Sequence, residues 1–289
     1  MARGRGVWLL AGAGIAACVV LVGPSDPDGG PFAASSPGVT ARKAVADRVM
    51  TWNLCNPCGE SEVDQAAEIA AYAPQVIGLQ EACERDVETI RGYLKSRHGL
   101  VYHVEYGAVL NNWRRCGGAP WSPGGYGQAI LSAAPMTDPV TEEYADGGSE
   151  DRGYMAVTTR VGGSQVRVFN THFAQRRQEA VRAEQAAELA EEVARHDRAV
   201  VLGDFNAVPD AAELAPLWRL AADADPGCGP SRAGDCEPTT DWQSKFDYVF
   251  LRGIAPLRRH IIPTPYSDHH ILYADLNTAS RGGEINSPR

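Results

Sequence analysis

The chain has 289 residues, of which 44% are apolar, enough for one sizeable buried core in a single large domain or two small ones. Its formal net charge is -9, with no long run of either sign. That balance excludes a uniformly basic polyanion-binding surface, although a local basic groove remains compatible with an acidic protein.

The N-terminus reads as a targeting segment. Arg3 and Arg5 form a charged start, Val7 to Val22 is an uncharged apolar stretch, and a Pro/Gly/Ser/Ala-rich stretch from Gly23 to about Thr40 follows. The apolar stretch exceeds a typical signal core and falls slightly short of a comfortable membrane span. Ile15-Ala16-Ala17-Cys18 has a faint lipoprotein-signal character, but the apolar run continues past Cys18. Export is the expectation, with the mature protein extracellular or anchored at the cell surface. Residues 1–44 are read as leader and linker, 45–277 as the folded α/β domain and 278–289 as a polar tail.

From Arg48 onward short apolar runs alternate with helical or loop segments. Val49–Leu54, Val76–Gln80, Ala129–Leu131, Met155–Val161, Val166–Phe169, Ala199–Leu202, Tyr248–Leu251 and Ile271–Leu276 are predicted strands, each rich in β-branched or aromatic residues and bounded by turn formers. Ser61 to about Tyr72 is a predicted helix with a capping-box-like Ser61-x-x-Asp64 start and a stop before Pro74. Arg177 to His196 is a second, placing Val181, Ala186, Leu189, Ala190 and Val193 on one face. Asn111–Gly127 and Ala221–Trp242 read as long loops, which in a compact domain are functional or stapled.

Six cysteines lie outside the leader: Cys55, Cys58, Cys83, Cys116, Cys228 and Cys236. In an exported chain they predict up to three disulfides, with Cys228–Cys236 the natural local pair. The rival is a zinc site on Cys55-x-x-Cys58 with Cys83 and Cys116, disfavoured by an oxidising compartment.

Polar, metal-competent residues recur where the apolar strands end. Asn53 follows Val-Met-Thr-Trp, Glu81 ends Val-Ile-Gly-Leu-Gln, and His172 follows Val-Phe-Asn-Thr; Asp204 and Asn206 follow Val-Val-Leu-Gly, and Asp268-His269 precede the last strand. Taken singly, Asn53 reads equally as a turn residue, Glu81 as a cap and His172 as a core histidine. Together they supply what phosphate-ester hydrolysis requires. Glu81, helped by Asn53 and Asp268, offers oxygen ligands to a hard divalent cation such as Mg²⁺ (Mn²⁺ or Ca²⁺ as alternatives). Asp204 and Asn206, or the Asp247–His269 pair, position and deprotonate water. His172 and the amides donate to the charge growing on the phosphoryl oxygens.

The segments Thr51-Trp52-Asn53, Leu79-Gln80-Glu81, Asn170-Thr171-His172, Gly203-Asp204-Phe205-Asn206, Phe246-Asp247-Tyr248 and Ser267-Asp268-His269 stand in the order of the endonuclease/exonuclease/phosphatase superfamily, which the chain resembles over about residues 48 to 277. The resemblance implies a four-layered α/β/β/α sandwich with two packed mixed β-sheets and a Mg²⁺-dependent site at one rim. It implies catalytic roles for His172, Asp204, Asn206, Asp247 and His269, with His269 oriented by Asp247 and with Asp204 and His269 both eligible as general base. Arg152 resembles the phosphate-binding arginine of some nuclease members, against a plain reading as a solvated loop arginine. His270 has no counterpart in the motif.

Departures narrow the substrate. Cys55 stands where abasic-site endonucleases place an acid, and Ser-Lys-Phe-Asp-Tyr around Asp247 differs from the inositol phosphatase signature. Tyr126 to Ser132 resembles the strand shared by nucleases and sphingomyelinases, with Ala133 in place of the arginine that often follows. The Trp113–Trp121 segment carries Arg114 and Arg115 and suits bases and phosphates better than a bilayer. A nuclease-type phosphodiesterase acting on nucleic acid is therefore expected, with no obligate protein partner. A sphingomyelinase or other phospholipid or phosphomonoester hydrolase is the alternative, and a non-catalytic binding or toxin-subunit module a minor one.

Overall fold

In the computed structural model, which describes residues 39–56, 58–59 and 61–278, the anticipated strands pair into two six-stranded sheets. The leader and the C-terminal tail expected from sequence lie outside these residues, apart from the linker end before Val45 and Thr278. The chain runs β1 (Val45–Asn53), α1 (Glu62–Tyr72), β2 (Pro74–Cys83), α2 (Glu84–His98), β3 (His103–Asn111), α3 (Trp113–Cys116), β4 (Gly118–Ala119), β5 (Ser122–Pro123), β6 (Gly125–Ser132) and β7 (Thr137–Glu143). It continues through β8 (Gly153–Val161), β9 (Ser164–His172), α4 (Glu179–Ala194), β10 (Ala199–Asp204), α5 (Ala215–Leu220), β11 (Ala222–Asp223), β12 (Asp247–Arg252), β13 (Ala255–Ile262) and β14 (Ile271–Asn277).

The first sheet has the order β13-β14-β1-β2-β6-β3 and the second β11-β12-β10-β9-β8-β7. Both are mixed: β1 runs parallel to β2 and β10 parallel to β9, with antiparallel neighbours outside each pair. Period-two alternation sorts the strand residues between layers. Met50 and Trp52 of β1 pack with Ile69, Val87, Ile90 and Leu94 of α1 and α2, whereas Val49 faces the other sheet with Val168, Val200, Leu202 and Val249. On the far side Phe169, Val201, Tyr248 and Phe250 pack with Leu189 and Val193 of α4 and Leu217 of α5. Three apolar layers thus separate four structural ones, the expected α/β/β/α sandwich.

A buried polar seam crosses the inter-sheet core. Gln80 Nε2 donates to Asn170 Oδ1 at 2.6 Å and to Thr51 Oγ1 at 3.0 Å, and Asn170 Nδ2 donates to the Leu79 and Ala129 carbonyls. Gly78 permits this close approach, because a Cβ there would meet Asn170 Oδ1 at 2.7 Å. Gln80 and Asn170, two residues of the recurring motifs, therefore join the sheets and fix the register of the catalytic strand ends.

Several elements differ from expectation. The Ser61 side chain makes no capping bond, and α1 starts instead with the Asp64 and Gln65 N–H groups donating to the Ser61 carbonyl. Residues 111–127, expected as loop, fold into the single turn α3 and the β4–β5 hairpin, with β3 and β6 meeting at their ends. Helix α2 and the strands β3, β7 and β13 were not anticipated. All six cysteines are bridged, as Cys55–Cys58, Cys83–Cys116 and Cys228–Cys236, which displaces the zinc alternative. Among the described residues no helix is long and apolar enough to cross a membrane.

Candidate active site

The parallel pairs at the centre of each sheet end at the same rim. Asn53 closes β1 next to Gln80, and His172 and Asp204 are register partners at the ends of β9 and β10. Asp204 is also the partner of Asp247, the first residue of β12. Register alone therefore gathers His172, Asp204 and Asp247 on the second sheet; Asn53 joins them from the first sheet across the interface, and the loop before β14 delivers Asp268 and His269.

That loop is locked to β1. Ser267 Oγ donates to the Asn53 carbonyl at 2.7 Å and accepts the His269 N–H at 3.0 Å, while the Trp52 indole donates to the His269 carbonyl at 3.2 Å. Thr239 Oγ1 accepts the N–H groups of Phe246 and Asp247, and Thr240 forms an isolated bridge with His269. The Trp52-Asn53, Phe246-Asp247 and Ser267-Asp268-His269 motifs are thus one hydrogen-bonded unit.

Asn53 is the hub. Its Nδ2 donates to Asp204 Oδ2 at 3.0 Å and to Glu81 Oε1 at 3.3 Å, and its Oδ1 accepts the Cys55 N–H at 2.9 Å. Glu81 sits at a break in the β2–β6 register with φ 50°, so it leaves the pleat and turns toward the rim. Asn206 (φ 49°) and Cys55 (φ 53°) are also in the left-handed region, and strain of this kind concentrates at functional sites. Gly203 has no such choice: a Cβ there would meet the Thr171 carbonyl at 2.2 Å. His172 Nε2 lies 3.4 Å from Asp204 Oδ2, 3.2 Å from Asn206 Nδ2 and 3.9 Å from Glu81 Oε1.

His269 is held between two acids, with Nδ1 2.9 Å from Asp247 Oδ2 and Nε2 3.7 Å from Asp204 Oδ2. Burial opposes a charged ring, but the Asp247 and Asp204 carboxylates, joined by Asp268, outweigh it and push the imidazole up to about 10. Asp204 goes the other way: burial resists ionisation, yet His269 and the contacts from His172 and the Asn206 N–H hold it well below the usual carboxylate range. Asp247 is lifted by complete burial, which its bond to His269 only partly offsets.

Two groups of side chains here have spacings compatible with a metal ion, Asp204–Asp247–His269 and Cys55–Cys58–Asp268. In the first, His269 Nδ1 is committed to Asp247 and the ring's proton affinity is raised by the flanking carboxylates, and the second offers disulfide sulfurs without thiolate character. The carboxylates of Glu81 and Asp268 make better donors. Burial raises the Asp268 carboxyl and the negative charge of Glu81 raises it further, the mark of two acids sharing a site that a cation would relieve. With the Asn53 amide alongside, the donor set is all oxygen and suits a hard divalent ion.

Arg152 is buried rather than solvated. Its Nη1 lies 2.6 Å from Glu150, which Arg115 also contacts at 2.5 Å, and the side chain lines a narrow recess with His172, Tyr126 and Gln128. Its Nε, and both polar atoms of Gln128, have no hydrogen-bond partner among the described residues. His270 lies outside the cluster, with Nε2 3.2 Å from Asp241.

Arg182 and Gln185 are site-shaping residues that sequence reasoning missed. The sequence places them on the α4 face counted as apolar, and the structure buries both. Gln185 accepts the Ala174 N–H, and Arg182 donates to the Ala174 and Gln175 carbonyls while pairing with Glu213 at 2.8 Å. They hold the segment that leaves His172. Their only signal was a guanidinium and an amide at three-residue spacing on an otherwise apolar stripe.

Two packed mixed sheets with a helical layer on each outer side, and an acid–amide–imidazole cluster at one rim, define a deoxyribonuclease I-like sandwich. The chain belongs to the Endonuclease/Exonuclease/phosphatase family, whose sequence profile matches residues 50–269. Members of that family are hydrolases of phosphoester bonds. No curated protein matches the chain by sequence. Among solved structures it is similar to an endonuclease/exonuclease/phosphatase from Beutenbergia cavernae DSM 12333 (24% identity, 79% of this chain and 70% of that one, TM-score 0.64). It is similar also to the human Nocturnin catalytic domain with bound sulfate (23% identity, 80% and 94%, TM-score 0.62) and to D. rerio TDP2 complexed with a single-strand DNA product (18% identity, 80% and 98%, TM-score 0.61). These likenesses establish the shared fold.

Proposed function

We propose that the chain is an exported, Mg²⁺-dependent phosphodiesterase of the nuclease type. The observation that carries this reading is the hub at Asn53: one amide touches both the candidate metal ligand Glu81 and the candidate base Asp204, through the same Asp204 Oδ2 that faces His172 and His269. Three disulfides support an oxidising compartment, hence export.

Glu81, Asp268 and the Asn53 amide would hold the divalent ion, which when bound would supply Lewis-acid polarisation of the phosphoryl group and stabilise the leaving group. Asp204, ionised at neutral pH, orients the attacking water, whose proton passes to Asp204 or His269 as the new O–P bond forms in line with the breaking ester bond. Asp247 and Asp204 raise the proton affinity of His269, which suits its protonated ring to donate to a non-bridging oxygen, and both residues stay eligible as the base. Asp247 keeps that proton on His269 and fixes the ring's direction. His172, the Asn206 amide and Arg152 contact the phosphoryl oxygens that Ala133, at the position often occupied by arginine, cannot reach.

Nucleic acid is the favoured substrate because Trp113, Trp121 and Trp242 are exposed aromatics interleaved with Arg114, Arg115 and Arg176, a pattern suited to bases and phosphates. The test is hydrolysis of plasmid DNA, RNA and sphingomyelin in parallel, with Mg²⁺ or EDTA, by wild type, His269→Ala and Glu81→Ala. EDTA-sensitive cleavage of nucleic acid, lost in both variants, is expected. Turnover of lipid alone would transfer the same chemistry to a sphingomyelinase, and silence on all three would leave a phosphomonoesterase or a non-catalytic module.

A further inference from the structure

Beside the catalytic cluster opens a cleft of about 650 Å³, lined by Arg176, Arg177, Arg182, Glu213, Asn206 and Phe246. It is continuous with the site, because Asn206 belongs to both. Its size is that of a pocket for one small-molecule unit, such as a nucleotide. Its charges are unevenly matched. Arg182 is neutralised by Glu213 at 2.8 Å and by Glu179 at 3.8 Å. Arg176 and Arg177 are exposed, and neither makes an ion pair among the described residues. The three arginines and two glutamates of the lining leave one surplus positive charge, carried on the wall where Arg176 and Arg177 have no ion-pair partner of their own, in a chain of net charge -9.

Arg177 has φ 68°, a left-handed backbone conformation that is uncommon for a long side chain, in the turn ahead of α4. Arg176 lies over the Phe246 ring at 5.7 Å, so part of its freedom is already spent. Phe246 in turn contacts Trp242 at 6.1 Å, and the half-exposed Trp242 meets the His269 ring edge-on at 5.3 Å. Reading outward from His269, the surface offers an aromatic face and then two free guanidiniums.

We propose that this cleft is a second phosphate subsite, in which Arg176 and Arg177 hold the phosphodiester adjoining the scissile one on a nucleic-acid strand while the intervening base rests on Trp242. The assignment rests on the phosphodiesterase reading above and adds a binding element outside the catalytic cluster. Guanidiniums match the planar, two-oxygen face of a phosphodiester, and an aromatic face accepts any base. A substrate with one phosphate, lipid or monoester, leaves this cleft without a partner.

The test is binding of a fluorescein-labelled eight-nucleotide thymidine strand in EDTA, followed by anisotropy across a salt series so that no turnover intervenes. Wild type is compared with Arg176→Ala/Arg177→Ala and with a charge-matched control, Arg91→Ala/Arg195→Ala, on remote surfaces. Circular dichroism and melting temperature verify that each folds. Loss of this one phosphate contact is expected to weaken binding about tenfold at low salt and to flatten the slope of log K against log salt by about 0.7, the value for one single-strand phosphate, with the control unchanged. Equal affinity and slope in the cleft variant and wild type would overturn the subsite. So would arginine-dependent binding to phosphatidylglycerol vesicles with none to the oligonucleotide, which would make the cleft a membrane contact. Wild-type hydrolysis of bis(p-nitrophenyl) phosphate with Mg²⁺ is measured separately: its absence would sink the phosphodiesterase reading, whereas its presence beside unchanged oligonucleotide binding would sink the subsite alone.

Discussion

One Nδ2 of Asn53 reaches Asp204 Oδ2 at 3.0 Å and Glu81 Oε1 at 3.3 Å, tying a buried carboxylate to a half-exposed one across the interface between the two sheets. Removing it leaves Asp204 short of a donor and frees Glu81 to drift. Asn53→Ala is expected to lower kcat about 10²–10³-fold, the scale of losing one preorganised donor. Steady-state kinetics beside an unfolding curve checks this, and retained activity in a folded variant would remove Asn53 from the site.

Glu81 and Asp268 raise each other's cost of ionisation, which His269 beside Asp268 only partly offsets, so substituting either should act first on metal affinity. For Glu81→Gln we expect the Mg²⁺ concentration for half-maximal activity to rise at least tenfold, roughly the cost of perturbing a metal's surroundings, with partial recovery at saturating metal. A metal titration reads this directly. An unshifted midpoint with a lower plateau would assign Glu81 a role in the chemical step instead.

His269 supplies the pH prediction. Its folded value is raised to about 10 from an ordinary 6.5, so its protonation contributes stability that is complete below pH 6.5 and is lost as pH rises through about 10. Asp247→Asn removes the nearest of the acids that hold the proton. In that variant the loss should shift toward neutral pH by one unit or more, each unit worth about 1.4 kcal/mol. Imidazole titration by NMR, with melting temperature followed from pH 6 to 10, tests the direction. An unchanged His269 midpoint would show that Asp204 alone sustains the charge.

Much of this site was legible in the sequence because strand ends are marked twice, by an apolar run and by the polar residue that stops it. Asn53, Glu81, His172 and Asp204 announce themselves this way, and Asp268-His269 by standing directly before a strand; parallel register aligns the ends within each sheet, and bonds across the sheets and from the loop before β14 bring them together. What stayed hidden has two causes. The strands β3, β7 and β13 are sheet edges or next to them and largely exposed, so Thr137–Glu143, with a proline and three acids, shows no apolar alternation. Helix α2 buries only Val87, Ile90 and Leu94, a narrow stripe in a charged background. Roles that depend on a distant partner were equally silent: Gln80 and Asn170 read as motif residues, and only the packed sheets reveal that they bind each other.

Arg182 shows the energetic side of such partnerships. The side chain is buried with Glu213, and it donates to two backbone carbonyls of the segment leaving His172. Arg182→Ala strands a carboxylate in a poorly solvated place and should cost about 3–5 kcal/mol, as expected when one partner of a buried pair is removed. The double variant with Glu213→Gln should recover part of that loss. Urea unfolding of the four proteins measures the coupling, and strict additivity would mean the two side chains act independently.

Cys83–Cys116 joins the end of β2 to α3 across 33 residues, which include all of α2 and β3. Closing a loop of that length restricts the unfolded chain by about 3.5 kcal/mol in the chain-entropy account. The bridge also anchors the Arg115–Glu150–Arg152 ion-pair chain, since Arg115 precedes Cys116 and Glu150 contacts both arginines. Cys83→Ala/Cys116→Ala should therefore lower stability by about 2–4 kcal/mol. It should also weaken substrate binding more than turnover, because Arg152 lines the recess beside His172 while Asp204 and His269 are held from other strands. Denaturant midpoints and a comparison of KM with kcat separate the two effects. A fall in kcat at constant KM would place the staple's influence on the catalytic cluster rather than on the phosphate-facing wall.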